Sequence, residues 1–252
     1  MEKFKRKVLK TVTKYSLLPK NSKVLVALSG GPDSVSLLHV LLELRRELSI
    51  EVAAAHINHM LRGEESERDE EFVRKLCKEW KVKLFVEKVN VPEISKGRNV
   101  EAVARGERYR KLKEILRKWE GDLVALGHTA SDLTETVILN LTKGSGLKGL
   151  RGFLPKRDVF VRPLFEVTRE DVEEYVKERE LPFVIDSSNL EKKFERNLIR
   201  IDVIPVLKRI NPSLEESILR ETEILRSAEE FIEFEVEKVV KRYLTENKFC
   251  IP

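Results

Sequence analysis

Six consecutive residues, Ser29-Gly30-Gly31-Pro32-Asp33-Ser34, have the composition of an anion-binding turn. Two glycines let backbone N–H groups turn inward, the hydroxyls of Ser29 and Ser34 add donors, and a helix started at Pro32 would present its positive N-terminus. Such a pocket suits a pyrophosphate-sized anion. No GxxxxGK loop followed by Ser or Thr is present, and without that lysine the turn suits a leaving pyrophosphate better than a transferring γ-phosphoryl group. Asp132 and Glu135 stand three apart in a helical stretch and so share a face, as do Arg105 and Arg108 in another. The carboxylates could grip a cation or simply complement a helix N-terminus. The guanidinium groups could contact phosphate or simply be solvated. His56 and His59 make an HxxH pair, but only His39 and His128 remain to complete an imidazole set and no Cys is near. That argues against zinc and for His56 as a strand-end residue beside a base.

The elements that must position these groups follow from hydrophobic periodicity. Lys23–Leu28, Glu51–His56, Val82–Val89 and Asp122–Leu126 read as buried strands, and Val159–Val161 as a short extended piece. Helical patterns begin at Pro32 and run over Glu64–Trp80, Val100–Trp119, Ser131–Thr142 and Arg169–Glu180. Alternation of this kind predicts an α/β fold with a doubly wound parallel sheet, Rossmann-like, whose ligands sit outside the carboxyl ends of the strands. After about Ile201 the pattern is purely helical, with a long charge-laced stretch over Ser213–Tyr243. The expected division is a nucleotide-binding domain over residues 1–204 and a C-terminal helical extension over 205–252. The extension ends without a polar tail, as a truncated chain would. Gly144-Ser145-Gly146-Leu147-Lys148-Gly149 formally fits GxGxxG, but it follows a helix rather than a first strand and reads as a flexible loop.

Of the 252 residues 41% are hydrophobic, enough for a core, and 36% are charged, with no glutamine at all. That balance is one found in proteins of hot habitats. Net charge is +5, a modest surplus that suits a polyanion such as RNA without requiring one. Two cysteines, Cys77 and Cys250, form no CxxC pair, and the chain has neither a secretory leader nor a long apolar run. A reduced, cytoplasmic protein with no membrane partner is expected.

The loop after the first strand resembles that of the pyrophosphate-loop ATPases, which adenylate a carbonyl oxygen and release pyrophosphate. Further blocks narrow the resemblance to the tRNA(Ile)-lysidine synthetases. His56-Ile57-Asn58-His59-Met60-Leu61-Arg62 with Ser66 and Asp69 is similar to HxNHxLR…S…D, and Glu101–Arg105 with Arg108-Tyr109 to ExxAR..RY. Gly127–Thr136 and Lys143–Leu150 resemble the HHxxDxxET…RGSG..GL block, with Thr129 and Ser131 in place of a histidine and an aspartate. Arg162-Pro163-Leu164, Asp186–Asn189 and Arg196-Asn197-Leu198-Ile199-Arg200 match the closing elements, so the resemblance spans about residues 20–212 in order.

The resemblance implies ATP as cosubstrate, held by Ser29, Gly30, Gly31, Asp33, Ser34, His56, Arg105 and Arg108, with Mg²⁺ on Asp33. It implies free L-lysine bound by Asp132, Glu135 and Arg200, and catalysis by Asp33, Asp132 and His128. It implies an isoleucine tRNA with a CAU anticodon as partner, met by Asn58, His59, Arg62, Lys143 and Arg196, with a homodimer as one assembly it allows. Lys208, Arg209, Lys238, Lys241 and Arg242 are candidate RNA contacts, or a solvated helix face. The rivals are a tRNA thiolase or amidotransferase-type synthetase of the same class, and a non-catalytic nucleotide sensor. A thiolase ordinarily needs paired cysteines, which this chain lacks.

Overall fold

The computed structural model describes residues 3–184, 195–245 and 248–249, with no side chain described beyond Lys241. Asp186–Asn189 and Cys250 lie outside the described residues. Two compact units divide the chain. The first comprises Met1–Ser131 and Pro155–Glu191, the second Asp132–Leu154 and Lys192–Pro252.

The first unit begins with helix α1 (Lys3–Lys14), followed by β1 (Lys23–Ala27), α2 (Pro32–Leu44), β2 (Glu51–Asn58), α3 (Glu64–Glu79), β3 (Leu84–Lys88), α4 (Val91–Ile94), α5 (Val100–Trp119) and β4 (Leu123–Ala125). Helix α6 (Ala130–Thr142) starts in this unit and continues in the second, which also holds α7 (Leu147–Leu150). The hairpin β5 (Lys156–Arg157) and β6 (Phe160–Val161) and helix α8 (Arg169–Glu178) complete the first unit. The second unit resumes with α9 (Glu195–Leu198), a π-helical segment Ile199–Val203, α10 (Ile204–Ile210), α11 (Leu214–Tyr243) and the short pair β7 (Leu244–Thr245) and β8 (Lys248–Phe249).

The sheet runs β3-β2-β1-β4-β6-β5, parallel throughout except for the β5–β6 hairpin. The doubly wound expectation therefore holds. Chain order reverses between β2 and β4 on either side of β1, which makes the carboxyl end of β1 the switch point of the sheet. Val24, Leu25 and Val26 are fully buried because β1 is covered on both faces, which is why its sequence is an unbroken apolar run rather than an alternating one. Helix α2 buries eight residues against the same core and fixes the direction in which the loop before it can turn.

Helix α1 was not anticipated by the motif pattern. It docks through Phe4, Val8 and Val12, one face at a four-residue period, and Phe4 stacks on Tyr175 of α8 at 4.0 Å. Helix α8 is started by a capping box between Thr168 and Asp171, as its sequence permits. Among the described residues no helix is long and apolar enough to cross a membrane.

Candidate functional site

The turn after β1 is knitted by one side chain. Ser34 Oγ accepts from the amides of Ser29 and Gly30, both at 3.2 Å, and donates to the Gly31 carbonyl at 3.0 Å. It also lies 3.1 Å from Ser29 Oγ. Ser34 was expected as an open donor to a ligand. Buried at 6% exposure, it is instead the residue that holds the loop's shape, leaving Ser29 as the exposed hydroxyl. Gly30 adopts φ +95°, a backbone conformation that side-chain-bearing residues rarely take. Gly127, directly after β4, passes so close to this turn that a Cβ there would lie 3.2 Å from the Asp33 carbonyl carbon. Asp33 is half-buried in the first turn of α2, where the helix dipole favours an anion.

At the ends of β2 and β4 the structure brings several expected residues to the carboxyl side of the sheet. His56 is buried and its Nδ1 donates to the Leu28 carbonyl at 2.9 Å, so its neutral form offers Nε2 as an acceptor. His59 has a buried Nδ1 with no partner. Burial first, then the charge of Arg108, pushes the pKa of His59 down to about 4, and burial likewise lowers that of His56. Arg108 is exposed on α5, and Arg105 lies one turn before Tyr109, donating to its hydroxyl at 3.2 Å. The buried Arg162, whose pKa is lowered first by burial, feels the charges of both Tyr109 and Arg105, a convergence of three motif blocks that spacing alone did not reveal. Two neutral imidazoles among guanidinium groups make an environment suited to an anion.

His59 titrates below its unfolded value, so the folded chain binds fewer protons than the unfolded one between pH 6.5 and about 4. Its contribution to stability is therefore complete above pH 6.5 and lost as pH falls through that window. We expect about 2 kcal/mol from this residue after allowing for its partial exposure. The slope of unfolding free energy against pH, measured by denaturant melts from pH 7 to 4, should flatten in His59→Gln. An unaltered slope would remove the effect.

Asn58 is a correction. Expected as an RNA contact, it is 2% exposed, and its amide donates to the Ser66 carbonyl and Glu70 Oε2 while its Oδ1 accepts from Met60 N–H. It shapes the β2–α3 connection from within. Arg62 is tied down in the same connection, donating to Asp69 at 2.7 Å through its side chain and to Ser66 Oγ at 3.2 Å through its backbone. The serine and aspartate of that motif thus position the arginine. His128 is half-buried directly after β4. Thr129 is buried, and Ser131 accepts from the Arg169 N–H at the start of α8, so at 131 a short hydroxyl takes a capping place.

In the second unit Asp132 and Glu135 do share one face of α6, and two guanidinium groups meet them. Glu135 is 1% exposed. Arg200 grips it side-on, Nε to Oε1 at 2.5 Å and Nη2 to Oε2 at 3.0 Å. Arg196, expected at the RNA, donates from Nε to Glu135 Oε2 at 2.6 Å and from Nη2 to Asp132 Oδ1 at 3.0 Å. Arg200 sits in the π-helical turn that precedes Pro205. Proline lacks the N–H that would return to Ile201 and its ring would crowd that carbonyl, so the helix widens there. Lys143 is ion-paired with Glu195. Lys208, Lys238 and Lys241 pair with Glu215, Glu235 and Glu237 within their own helical region, and the Arg242 side chain lies outside the description.

A model of the PP-loop domain family matches residues 1–207. The chain is 42% identical over 251 residues to the tRNA(Ile)-lysidine synthase of Clostridium perfringens, covering 98% of this chain and 52% of that protein. It is 38% identical over 228 residues to the enzyme of the same name from a Thermotoga species, covering 90% and 55%. The chain thus spans about half the length of the curated relatives it matches. Among solved structures it superposes on the U34-tRNA thiolase NcsA of Methanococcus maripaludis, determined with its 4Fe–4S cluster. The TM-score there is 0.74 at 22% identity, over 88% of this chain and 78% of that one. That is a likeness of fold.

Proposed function

The chain belongs to the PP-loop domain family, and we propose that it carries the catalytic part of an ATP-dependent ligase joining free L-lysine to the wobble cytidine of an isoleucine tRNA with a CAU anticodon. The observation that carries this reading is the pair of carboxylates on α6, one of them buried and both held by arginines. A nucleotide sensor has no use for such a group, whereas a basic amino-acid substrate needs it. The name borne by the relatives supports the same substrate.

In this reading ATP lies over the turn formed by Ser29, Gly30, Gly31 and Ser34, with His56, Arg105 and Arg108 around the nucleotide. Among the described residues no group of three or more His, Cys, Asp or Glu could cage a metal. That suits Mg²⁺, which keeps several waters and takes one or two carboxylates together with substrate phosphates; Asp33 is the carboxylate. Bound there it would neutralise charge on the departing pyrophosphate. The carbonyl oxygen carried by the cytosine ring attacks the α-phosphorus and pyrophosphate leaves. The lysine ε-amine then attacks the ring carbon, and AMP departs with the oxygen. An amine attacks only when neutral, and Asp132 is assigned as the base that takes its proton, with His128 as a further catalytic residue. His59, Arg62, Lys143 and residues 205–252 are assigned to tRNA. Location in the cytoplasm and assembly as a homodimer belong to the same proposal.

A thiolase reading is not favoured. Cys77 is 1% exposed and burial pushes its pKa up to about 11, so it holds no reactive thiolate at neutral pH. The test is incorporation of labelled lysine into transcribed CAU isoleucine tRNA with ATP, alongside Asp132→Ala. Incorporation lost with Asp132→Ala, and lost when the wobble cytidine is changed, is the expected result. Pyrophosphate release without lysine incorporation would move the proposal to another adenylated substrate.

A further inference from the structure

The peptide between Gly30 and Gly31 sets the polarity of the turn after β1. Of the amides at positions 29 to 32, those of Ser29 and Gly30 are taken by Ser34 Oγ, and Pro32 has none. The Gly31 N–H remains, directed toward the exposed Ser29 hydroxyl at 3.4 Å. This trans peptide is planar, so its C=O and N–H point in opposite directions. The Gly30 carbonyl accordingly faces away from that hydroxyl and accepts from the Val184 N–H at 3.0 Å. Glycine flanks the peptide on both sides. A flip would carry Gly31 from φ −72° into the positive region, which glycine enters freely. Flipped, the turn would aim a carbonyl oxygen at an anion instead of an N–H.

We infer that the Val184 N–H is a latch that fixes the Gly30–Gly31 peptide in its anion-accepting orientation, which makes Val184 a positioning residue for the phosphates of ATP. The inference rests on the reading above that the turn is the seat of those phosphates. Val184 reaches the turn on a short connection from α8. Leu181 is buried, and its N–H closes the end of α8 on the Val176 carbonyl at 3.0 Å. Pro182 then restricts the chain that follows. The Val184 side chain closes the same face of the turn, since a Cβ on Gly30 would lie 2.8 Å from Val184 Cγ2 and 3.4 and 3.5 Å from Phe72 and Val73 of α3. The turn therefore takes its shape from two sources. Ser34 holds it from within, and Val184 holds its one reversible peptide from outside. Affinity for phosphate depends on the seating of residues 181–184 as well as on the six residues of the turn, because the N–H offered to the anion is fixed through the carbonyl behind it.

The test replaces Val184 with its α-hydroxy acid, which puts an ester oxygen in place of the N–H and keeps the side chain. Binding of α,β-methylene ATP with Mg²⁺, and of adenosine, is measured by calorimetry for wild type, the ester variant and Val184→Ala. In the ester variant the ATP analogue is expected to bind roughly tenfold or more weakly, the worth of one bond to a charged group. Adenosine carries no phosphate and should keep its affinity within about twofold. Val184→Ala retains the N–H, so the analogue should stay within about threefold of wild type. An unchanged gap between analogue and adenosine in the ester variant would overturn the latch while leaving the phosphate reading in place. An equal loss of both ligands would also overturn it, since that marks a general loss of structure. Wild type binding the analogue no more tightly than adenosine would overturn the phosphate reading of the turn and the latch with it.

Discussion

Replacing Glu135 with alanine is expected to lower the unfolding free energy by about 3 kcal/mol, at the lower end of the range for breaking a buried ion pair. For a chain of this size that amounts to a fall in Tm on the order of 10 °C. Glu135 is 1% exposed and accepts from both Arg196 and Arg200. Its loss strands two guanidinium groups that the π-helical turn and α9 direct at it. Asp132 can answer only one of them well, since Arg200 lies 4.0 Å from it. Partial solvent access to both arginines keeps the effect from being larger. The loss of lysine incorporation should exceed what instability explains, because the variant should still be folded at 25 °C and inactive there. Thermal melts and single-turnover assays on the same preparation measure both. A melting temperature within a degree or two of wild type would show that the four charges do not act as one structural group.

Gly30→Ala is expected to reduce ATP-dependent activity by about a hundredfold, the scale of an ångström-level misplacement of reacting groups. Gly30 has φ +95°, and a Cβ there would lie 2.8 Å from Val184 Cγ2. The backbone of the loop must shift to accept it, at a cost of about 1–3 kcal/mol. That shift pulls the amides of Ser29 and Gly30 away from the hydroxyl of Ser34, which orders the turn. Adding Val184→Ala removes the clash but not the left-handed backbone, so it should restore activity only in part. Full recovery in the double variant would mean that the steric contact alone had mattered, and no loss in the single variant would mean that the turn tolerates movement.

Much of this was legible in the amino-acid order because it depends on local pattern. Buried parallel strands such as Lys23–Ala27 need unbroken apolar runs, and a switch-point turn needs Gly30 and a helix start at Pro32. Those features, with the motif blocks, were enough to expect the doubly wound sheet, the anion turn and a shared face for Asp132 and Glu135. Tertiary structure decided what each group spends its bonds on. Whether Ser34 faces a ligand or the loop depends on where the amides of Ser29 and Gly30 fold back. Asn58 reads as a polar motif residue until Ser66, Glu70 and Met60 converge on it across twelve residues of chain. Arg196 stands sixty-one positions from Glu135, and only the approach of the 195–203 helical stretch to α6 brings it and Arg200, one turn apart on one face, to the same carboxylate. Periodicity encodes which way a side chain faces within its own element. Which partner it meets is fixed by the packing of elements distant in sequence, because a buried charge or amide must be satisfied by whatever the fold brings to it.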